Sequence, residues 1–564
     1  MNDDLKPVIV AVVLSFLAIY SVNQLFGLNK PKAPIDKPVV EALQPEQTDH
    51  LVVAAQTTPE INENKPVQDV ATLIKNEKRI NFNNASVRGS IRLRGSRFDN
   101  LYLQKYNEEL DDHSAKIELL RPAQTANHYF VDFGWLSMDS HVALPNANSS
   151  WKTSDTEITA QKPAVLTWSN SDGLKIVRKI ALDGNYLFTI HDTIENDTNE
   201  ELDIFPYALI SKNIQGFETS RSVVHEGISG VLDGTLKEFK YGQIKKGDSK
   251  AFESTGGWLG FSDRYWFTAL ILGNDEKAQI NFKNLDSHNY QVDYLGERLV
   301  ILPHQSKTYT YTLFSGAKEI KLLDTYKKTH KFPKFDLAVD FGWYYFLTKP
   351  FFYILDFLYG FLGNMGWAIL LFAAILRLCM FPIANKSFTS MAKMKALQPK
   401  LNEIRQKYGN NQMLIQQATM ELYKREKINP ASGCLPLFIQ IPVFFSLYKV
   451  LNISIEIRHA PFIGWIHDLS APDPLTISQL LHIYVPGILD IGLWPIFMGL
   501  TMWMQQKLNP TPTNKDQARM FALMPIFFTF MLGHFASGLV IYWTLSNLLS
   551  IIQQKAIMHK NGVK

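Results

Sequence analysis

Long apolar runs in the C-terminal two-fifths of the chain restrict its fold more than any other feature. The run at residues 361–385 carries a single charged side chain, that of Arg377. Four further apolar runs follow, at residues 434–454, 491–506, 520–535 and 538–552. Such runs are typical of helices that span a bilayer, because a helix satisfies its own backbone hydrogen bonds in lipid. The pattern therefore predicts a helical membrane part at residues 341–560, although the last three runs are short for membrane spans.

The N-terminal region adds a sixth candidate span. Residues 7–27 are nearly long and apolar enough to cross a bilayer. A signal peptide is the alternative, but no cleavage pattern of small residues follows the apolar run, so an uncleaved anchor is favoured. Residues 28–79 are rich in Pro, Lys, Glu, Gln and Thr and have little apolar periodicity. This composition predicts a flexible linker.

Residues 80–325 have a different pattern, in which short runs of alternating apolar and polar residues are separated by Asn, Asp and Gly. Examples are Ser90 to Leu103, His128 to Leu136 and Leu174 to Leu182. Many such runs without intervening helices predict a large all-β sandwich. Both cysteines, Cys379 and Cys434, lie outside this region, so it folds without disulfides. The sequence therefore predicts a polytopic α-helical membrane protein with a large β-sandwich domain.

The distribution of basic residues predicts the orientation of the chain. Lys and Arg are concentrated at residues 386–427, at residues 507–519 and in the C-terminal tail. These three regions fall on one side of the membrane if there are six spans, and the positive-inside rule makes that side the cytoplasm. Both termini are then cytoplasmic, and the β-domain lies outside the cytoplasm between the first and second spans.

Arg377 is the most informative single residue. It precedes Lys386 by nine positions, which is roughly 13 Å along a helix and places it in the inner half of the bilayer. A charge at this depth is costly and usually faces a bundle interior or a wet cavity. Snorkelling to the headgroups is the alternative. No Asp or Glu occurs in the neighbouring runs, so an unpaired cation would need a hydrated cavity. The candidate lining residues are Gln440, Ser446, Thr544, Ser546 and Asn547, although residues of these types more often serve helix packing.

Residues 386–430 predict a cytoplasmic helical hairpin with a basic surface. Its apolar residues recur every three or four positions and include Met391, Met394, Met413 and Met420. The sequence Gly-Asn-Asn at residues 409–411 predicts the turn. Methionine suits promiscuous apolar binding. The alternative is that the stripe packs the two helices together, and that the basic face is solvated or attracted to anionic lipid.

Several functional classes lack their sequence signatures. The chain has no GxxxxGK[ST], HExxH or GxSxG motif and no clustered metal ligands. We therefore expect no cofactor, no metal site and no enzymatic activity. The net charge of +4 is too small to indicate specific nucleic-acid binding.

Five segments together resemble the YidC family of membrane protein insertases. They are AILRLCMFP (from Ala374), SMAKMKALQPK (from Ser390), ELYKREKINPASGCLPLFIQIPVFFSLY (from Glu421), PFIGWIHDLSAPDP (from Pro461) and SGLVIYWTLSNLLSIIQQ (from Ser537). The resemblance is dense over residues 341–560. The anchor and outer β-domain are similar to the Gram-negative branch of that family.

The resemblance implies an ATP-independent insertase and chaperone of the bacterial inner membrane, with a five-helix core and a groove open to the cytoplasm and lipid. Arg377 matches the family's intramembrane arginine, which attracts the hydrophilic part of a client. Gln440, Tyr542 and Trp543 match other groove residues, and Ser546 and Asn547 are assigned to the same groove. Ala373 replaces a hydroxyl residue of the family, and residues 478–493 resemble an insertion. The implied partners are nascent membrane proteins, the Sec translocon, ribosomes and membrane lipids.

Two other functional classes remain open on the residues alone. In an anion transporter or channel, Arg377 would bind the transported ion, but no convincing inverted repeat supports this interpretation. A sugar-binding or mutarotase-like role for the β-domain is the other alternative. It would rest on fold likeness, which does not establish function.

Overall fold

A computed structural model of the protein describes residues 69–216, 224–286, 288–409, 411–429, 435–487, 489–510 and 515–562. The predicted anchor at residues 7–27 and most of the predicted linker at 28–79 lie outside the described residues. The end of that linker differs from the prediction, because it forms helix α1 (Val70–Asn76). The Asp69 side chain caps this helix by accepting a hydrogen bond from the Thr72 amide at 3.3 Å.

The described residues form a β-domain of 17 strands. Their bounds are β1 (Arg79–Asn83), β2 (Val87–Arg92), β3 (Arg97–Asn107), β4 (Lys116–Leu120), β5 (Tyr129–Leu136), β6 (Glu157–Ile158), β7 (Ala164–Ser169), β8 (Leu174–Leu182), β9 (Leu187–Asn196), β10 (Leu202–Asn213), β11 (Gly227–Leu232), β12 (Thr235–Lys240), β13 (Ser249–Ser262), β14 (Trp266–Asn284), β15 (Asn289–Gly296), β16 (Leu299–Ile301) and β17 (Gln305–Ala317).

Strand β14 connects the two halves of this domain. Its first part, Trp266 to Ile271, pairs with β17, and its second part, Ala278 to Asn284, pairs with β15. From β17 the sheet continues through β9 and β8 to β7, and from β15 it continues through β10 to β5. All of these pairs are antiparallel. The strands that are successive in the chain, in the pairs β7–β8, β8–β9 and β14–β15, are joined by short connections, which suit this direction. The result is a sandwich-like fold of the predicted kind.

Alternation along the strands buries one face of each sheet. In β8 and β9 every second residue is buried, and large rings such as Trp135, Trp258 and Phe267 fill the interior. The run from Ser90 to Leu103 is divided between two strands, β2 and β3, because the chain turns within it. Gly95 and Ser96 have φ angles of 76° and 51°, which a strand cannot accommodate.

Helices make up most of the rest of the described chain. Their bounds are α2 (Ile320–Thr329), α3 (Tyr345–Leu362), α4 (Met365–Ala396), α5 (Gln398–Tyr408), α6 (Gln412–Arg425), α7 (Leu435–Ile453), α8 (Ile477–Leu481), α9 (Leu493–Leu508), α10 (Lys515–Leu532) and α11 (Ser537–Lys560). Helix α4 continues past Asn385, the predicted end of its apolar run, and α11 continues past Ile552. Helices α9 and α10 are short, like the apolar runs from which they were predicted.

Polar contacts join the β-domain to the helical core. The Arg264 guanidinium, between β13 and β14, donates to the backbone and side-chain oxygens of Asn452 at 2.9 and 3.0 Å. The Lys449 ammonium, also on α7, lies 2.6 Å from the carboxylate of Asp340. Arg458 donates at 2.9 Å to a backbone carbonyl at the end of β3. The C-terminal end of α7 is therefore the end nearest the β-domain.

Candidate functional site

Helix α4 positions Arg377 by packing its N-terminal half tightly. Asn364 caps the helix by accepting from the Trp367 amide at 3.2 Å. Gly366 lies against the Phe462 ring so closely that an added Cβ would come within 1.9 Å of it. Ala373, one turn before Arg377, is buried, so the small residue there serves packing. These contacts fix the rotation of the helix and hence the direction of the arginine.

Arg377 reaches across to helix α11. Its Nη2 donates to the backbone carbonyl of Ser546 at 2.7 Å and to the hydroxyl of Ser550. The Ser550 hydroxyl also donates to the Ser546 carbonyl, at 2.7 Å. Within the described part of the chain, the guanidinium donates to these two neutral oxygens and pairs with no carboxylate. The charge therefore lies half-buried without a counter-ion among the described residues.

A second polar contact lies next to the first on α11. The Gln440 amide, on α7, donates to the hydroxyl of Tyr542 at 3.0 Å. Tyr542, Ser546 and Ser550 are spaced by four residues, so they share one face of α11. Side chains from two different helices thus converge on a single face of the last helix.

This polar face continues beyond Ser550. The Gln553 amide donates to the side-chain oxygen of Asn385 at 2.9 Å and points back to α4. We call the whole set the polar strip, and its members are Arg377, Asn385, Gln440, Tyr542, Ser546, Ser550 and Gln553. The strip covers roughly 16 Å along α11. Sequence reasoning missed Ser550, Gln553 and Asn385, although the four-residue spacing from Tyr542 to Ser550 was a usable signal.

Two predicted groove residues face elsewhere. The Trp543 ring packs against Phe444 of α7, with a centroid distance of 4.7 Å, and against Phe528 of α10. The Asn547 amide donates to the Thr501 hydroxyl of α9 at 3.1 Å. Both side chains contribute to helix packing on faces of α11 other than the one that holds Arg377. Thr544, weighed as a cavity residue, bonds to the Val540 carbonyl of its own helix.

The predicted hairpin at residues 386–430 consists of the end of α4 followed by α5 and α6. Met394 is buried in a small cluster with Leu397, Leu401, Leu422 and Ile428, and Met391 packs against that cluster. Met413 and Met420 are exposed. The methionine stripe thus divides into a half that holds the hairpin together and a half that is available for contacts.

Large apolar side chains are exposed over much of the helical core. Examples are Phe357 on α3, Leu378 on α4 and Phe527 on α10. An exposed apolar area of this extent indicates an environment other than water. Among the described residues, α4 is the one helix long and apolar enough to cross a bilayer, and two shorter apolar helices are Phe438–Ile453 and Ala518–Leu532.

Comparison with known proteins identifies the two regions. The family model for the YidC periplasmic domain matches residues 79–354, and that for the 60Kd inner membrane protein matches residues 357–563. A periplasmic β-domain followed by an inner-membrane helical core places the chain among the integral proteins of the bacterial inner membrane.

Curated relatives give the particular family. The membrane protein insertase YidC of Brucella suis biovar 1 is 46% identical over 501 residues, covering 87% of this chain and 82% of that protein. That of Rickettsia bellii is 40% identical and covers 98% of this chain and 99% of its own length. The chain belongs to the YidC family and is a membrane protein insertase. A solved structure of an active YidC insertase covers 84% of this chain and 92% of its own, with 16% identity and a TM-score of 0.36.

Proposed function

We propose that the insertase handles its clients through the polar strip, with Arg377 as the residue that attracts the hydrophilic segment. The observation that supports this role is the set of partners of Arg377, a backbone carbonyl and a hydroxyl. Neutral oxygens orient the guanidinium without cancelling its charge. A carboxylate or polar group of a client can therefore form the charge-assisted hydrogen bonds that the protein itself does not supply.

The polar strip reduces the cost of moving a polar segment into the membrane. Transfer of an unsatisfied peptide group into hydrocarbon costs several kcal/mol. Hydrogen-bonding side chains along about 16 Å of α11 replace part of the lost water over that distance. The apolar segment of the client then leaves into lipid at about 25 cal/mol per Å² of buried apolar area. This transfer drives insertion without ATP.

The same proposal includes the topology and partners. Both termini lie in the cytoplasm and six helices span the inner membrane, as the basic segments predict. The hairpin contacts nascent membrane proteins as ribosomes release them, through Met413 and Met420 on its exposed side. The chain works alone or with the Sec translocon, and membrane lipids receive the product. No cofactor, metal or nucleic acid has a part in this mechanism.

The test replaces Arg377 with lysine or alanine and uses two clients that differ only in acidic residues of the translocated segment. Lysine keeps a cation at the same depth, so we expect Arg377→Lys to insert both clients nearly as well as the parent. Arg377→Ala should fail most with the acidic client. Insertion into liposomes containing the purified variants is the measurement.

Lys386→Ala is the matched control, because it removes an exposed cation from the same helix outside the strip. It should leave the difference between the two clients unchanged. Equal loss of both clients in Arg377→Ala would contradict the electrostatic role of Arg377. A defect in anion flux without a defect in insertion would instead favour a transporter.

A further inference from the structure

The connection between α7 and α9 contains an exposed apolar loop, described at residues 476–487 and 489–492. Hydrogen bonds close its neck: the Ile477 amide donates to the Ile491 carbonyl at 3.1 Å, and the Leu493 amide donates to the Leu475 carbonyl at 3.0 Å. The Asp490 carboxylate accepts from the amide and the hydroxyl of Ser478, at 2.9 and 2.7 Å. These hydrogen bonds hold the two ends of the loop together, so it has a defined conformation where it projects from the helices.

The tip of this apolar loop presents large side chains away from the protein. Leu480, Leu481, Ile483 and Tyr484 are 53%, 58%, 53% and 92% exposed. Residues 475–489 contain no Asp, Glu, Lys or Arg. Full burial of one large apolar side chain is favourable by about 1.5–3 kcal/mol relative to full exposure to water. A cluster of such side chains on an ordered loop therefore indicates a surface that contacts lipid or protein in the functioning molecule.

The apolar loop lies at the periplasmic end of the helical core. It follows the end of α7 that contacts the β-domain through Asn452. It also touches the turn between α10 and α11, where the His534 ring lies 3.0 Å from the Gly487 carbonyl. The apolar side chains of α9 and α10 that face outward, among them Leu500 and Ile526, lie on the helices next to it.

Helices α9 and α10 are shorter than the hydrocarbon core of a bilayer is thick. Helix α9 has 16 residues, or roughly 24 Å, whereas a hydrocarbon core is about 30 Å thick. The apolar part of α10, from Met520 to Leu532, is shorter, at roughly 20 Å. An apolar element at the periplasmic end of these two helices extends the surface that contacts lipid.

We infer that the tip of the apolar loop inserts into the periplasmic leaflet of the inner membrane, at the boundary between headgroups and acyl chains. The leucine and isoleucine side chains enter the acyl region, and the hydroxyl of Tyr484 remains among the headgroups, where tyrosine is enriched in membrane proteins. We assign phospholipid as the partner of the loop tip because the apolar surfaces of α9 and α10 continue into this loop. The inference rests on the membrane location of the family and is independent of the role of Arg377.

Fluorescence quenching in liposomes tests the inference on the full-length protein. Cys379 and Cys434 are replaced by alanine, and Tyr484→Cys carries an environment-sensitive dye. The control is Met138→Cys, at an exposed position of the β-domain where the side chain is 52% exposed. In liposomes, the emission maximum of the dye at position 484 should lie further to the blue than in water, and phosphatidylcholine spin-labelled near the headgroup should remove most of that emission. Position 138 should show neither effect.

Two results would overturn the inference. Quenching at position 484 no greater than at position 138 would mean that the tip is in water or awaits a protein partner. Strongest quenching by lipid labelled at the end of the acyl chain would place the tip in the bilayer centre. Leu481→Cys repeats the measurement at a second position, and insertion activity of each labelled protein verifies that it is folded.

Discussion

Two buried arginines of the β-domain, Arg178 and Arg97, pair with carboxylates, whereas Arg377 of the helical core bonds to neutral oxygens. In the β-domain, Arg178 and Asp192 are both fully buried, and two nitrogen–oxygen pairs between them measure 2.7 Å. Arg97 forms a similar pair with Asp132, at 2.7 Å. In the core, Arg377 bonds to a carbonyl and a hydroxyl. The carboxylates neutralise Arg178 and Arg97 within the fold, whereas, on the proposed function, the neutral oxygens around Arg377 leave its charge for a client.

Replacing an arginine with methionine in each region tests this comparison and has the largest expected effect, which is on the free energy of unfolding. Arg178→Met leaves Asp192 as an unpaired buried charge, so the free energy of unfolding should fall by about 3–5 kcal/mol. Arg377→Met leaves only neutral groups without a partner, and the free energy should change by no more than about 1 kcal/mol. The insertion activity per folded molecule should fall in Arg377→Met and stay unchanged in Arg178→Met.

Thermal unfolding of the detergent-solubilised full-length protein, with insertion assays on the same samples, measures both quantities. Arg298→Ala is the control for Arg178, because its pair with Asp203 is exposed and its loss should leave the midpoint unchanged. An equal loss of stability in the two methionine variants would contradict the comparison.

Placing a carboxylate beside Arg377 should make the core resemble the β-domain. Ser550 already accepts a hydrogen bond from the guanidinium, so Ser550→Asp creates an ion pair at this point. We expect insertion of an acidic client to fall about tenfold, the equivalent of ~1.4 kcal/mol. Ser550→Asn is the neutral variant of the same size and should retain most activity. If the two variants insert the acidic client equally well, the charge of Arg377 is not what clients recognise.

Glu456, at the junction of the two regions, is a buried carboxylate, whereas Arg377 is a half-buried cation. Its Oε1 accepts from the Ile320 amide at 3.2 Å. Its pKa is raised from 4.5 to about 7, mainly by burial and in smaller part by repulsion from Glu319 and Asp356. Each of these two carboxylates has a lysine partner, at 3.4 and 2.6 Å respectively. Glu456 thus holds its proton up to a higher pH in the folded protein than in the unfolded chain.

The raised pKa of Glu456 predicts a pH dependence of the stability. Because the folded state holds this proton up to a higher pH than the unfolded state, the contribution of Glu456 to stability falls as the pH rises from about 4.5 to about 7. Glu456→Gln cannot ionise and should lose this dependence. The difference in unfolding midpoint between parent and variant, measured from pH 5 to pH 8, should grow in favour of the variant. A constant difference would show that Glu456 does not ionise in this range.

The sequence by itself determined the broad division of the molecule. Alternation predicts the strands, because every second side chain of a half-buried strand faces the core. Apolar runs predict the helices of the core, and the lone charge at Arg377 stands out against them. The family resemblance, which the relatives confirm, depends on segments that are continuous in the chain.

Tertiary structure alone decided which side chains meet Arg377. Ser546 and Ser550 are 169 and 173 positions away in the chain, and no local pattern connects them to α4. Helix α11 buries residues on all sides, Tyr542, Ser546 and Asn547 among them, so periodicity does not indicate which face points to which neighbour. Close contacts such as Gly366 against Phe462 set the rotation of each helix. For this reason Gln553 joins the polar strip while Trp543 and Asn547 pack against other helices.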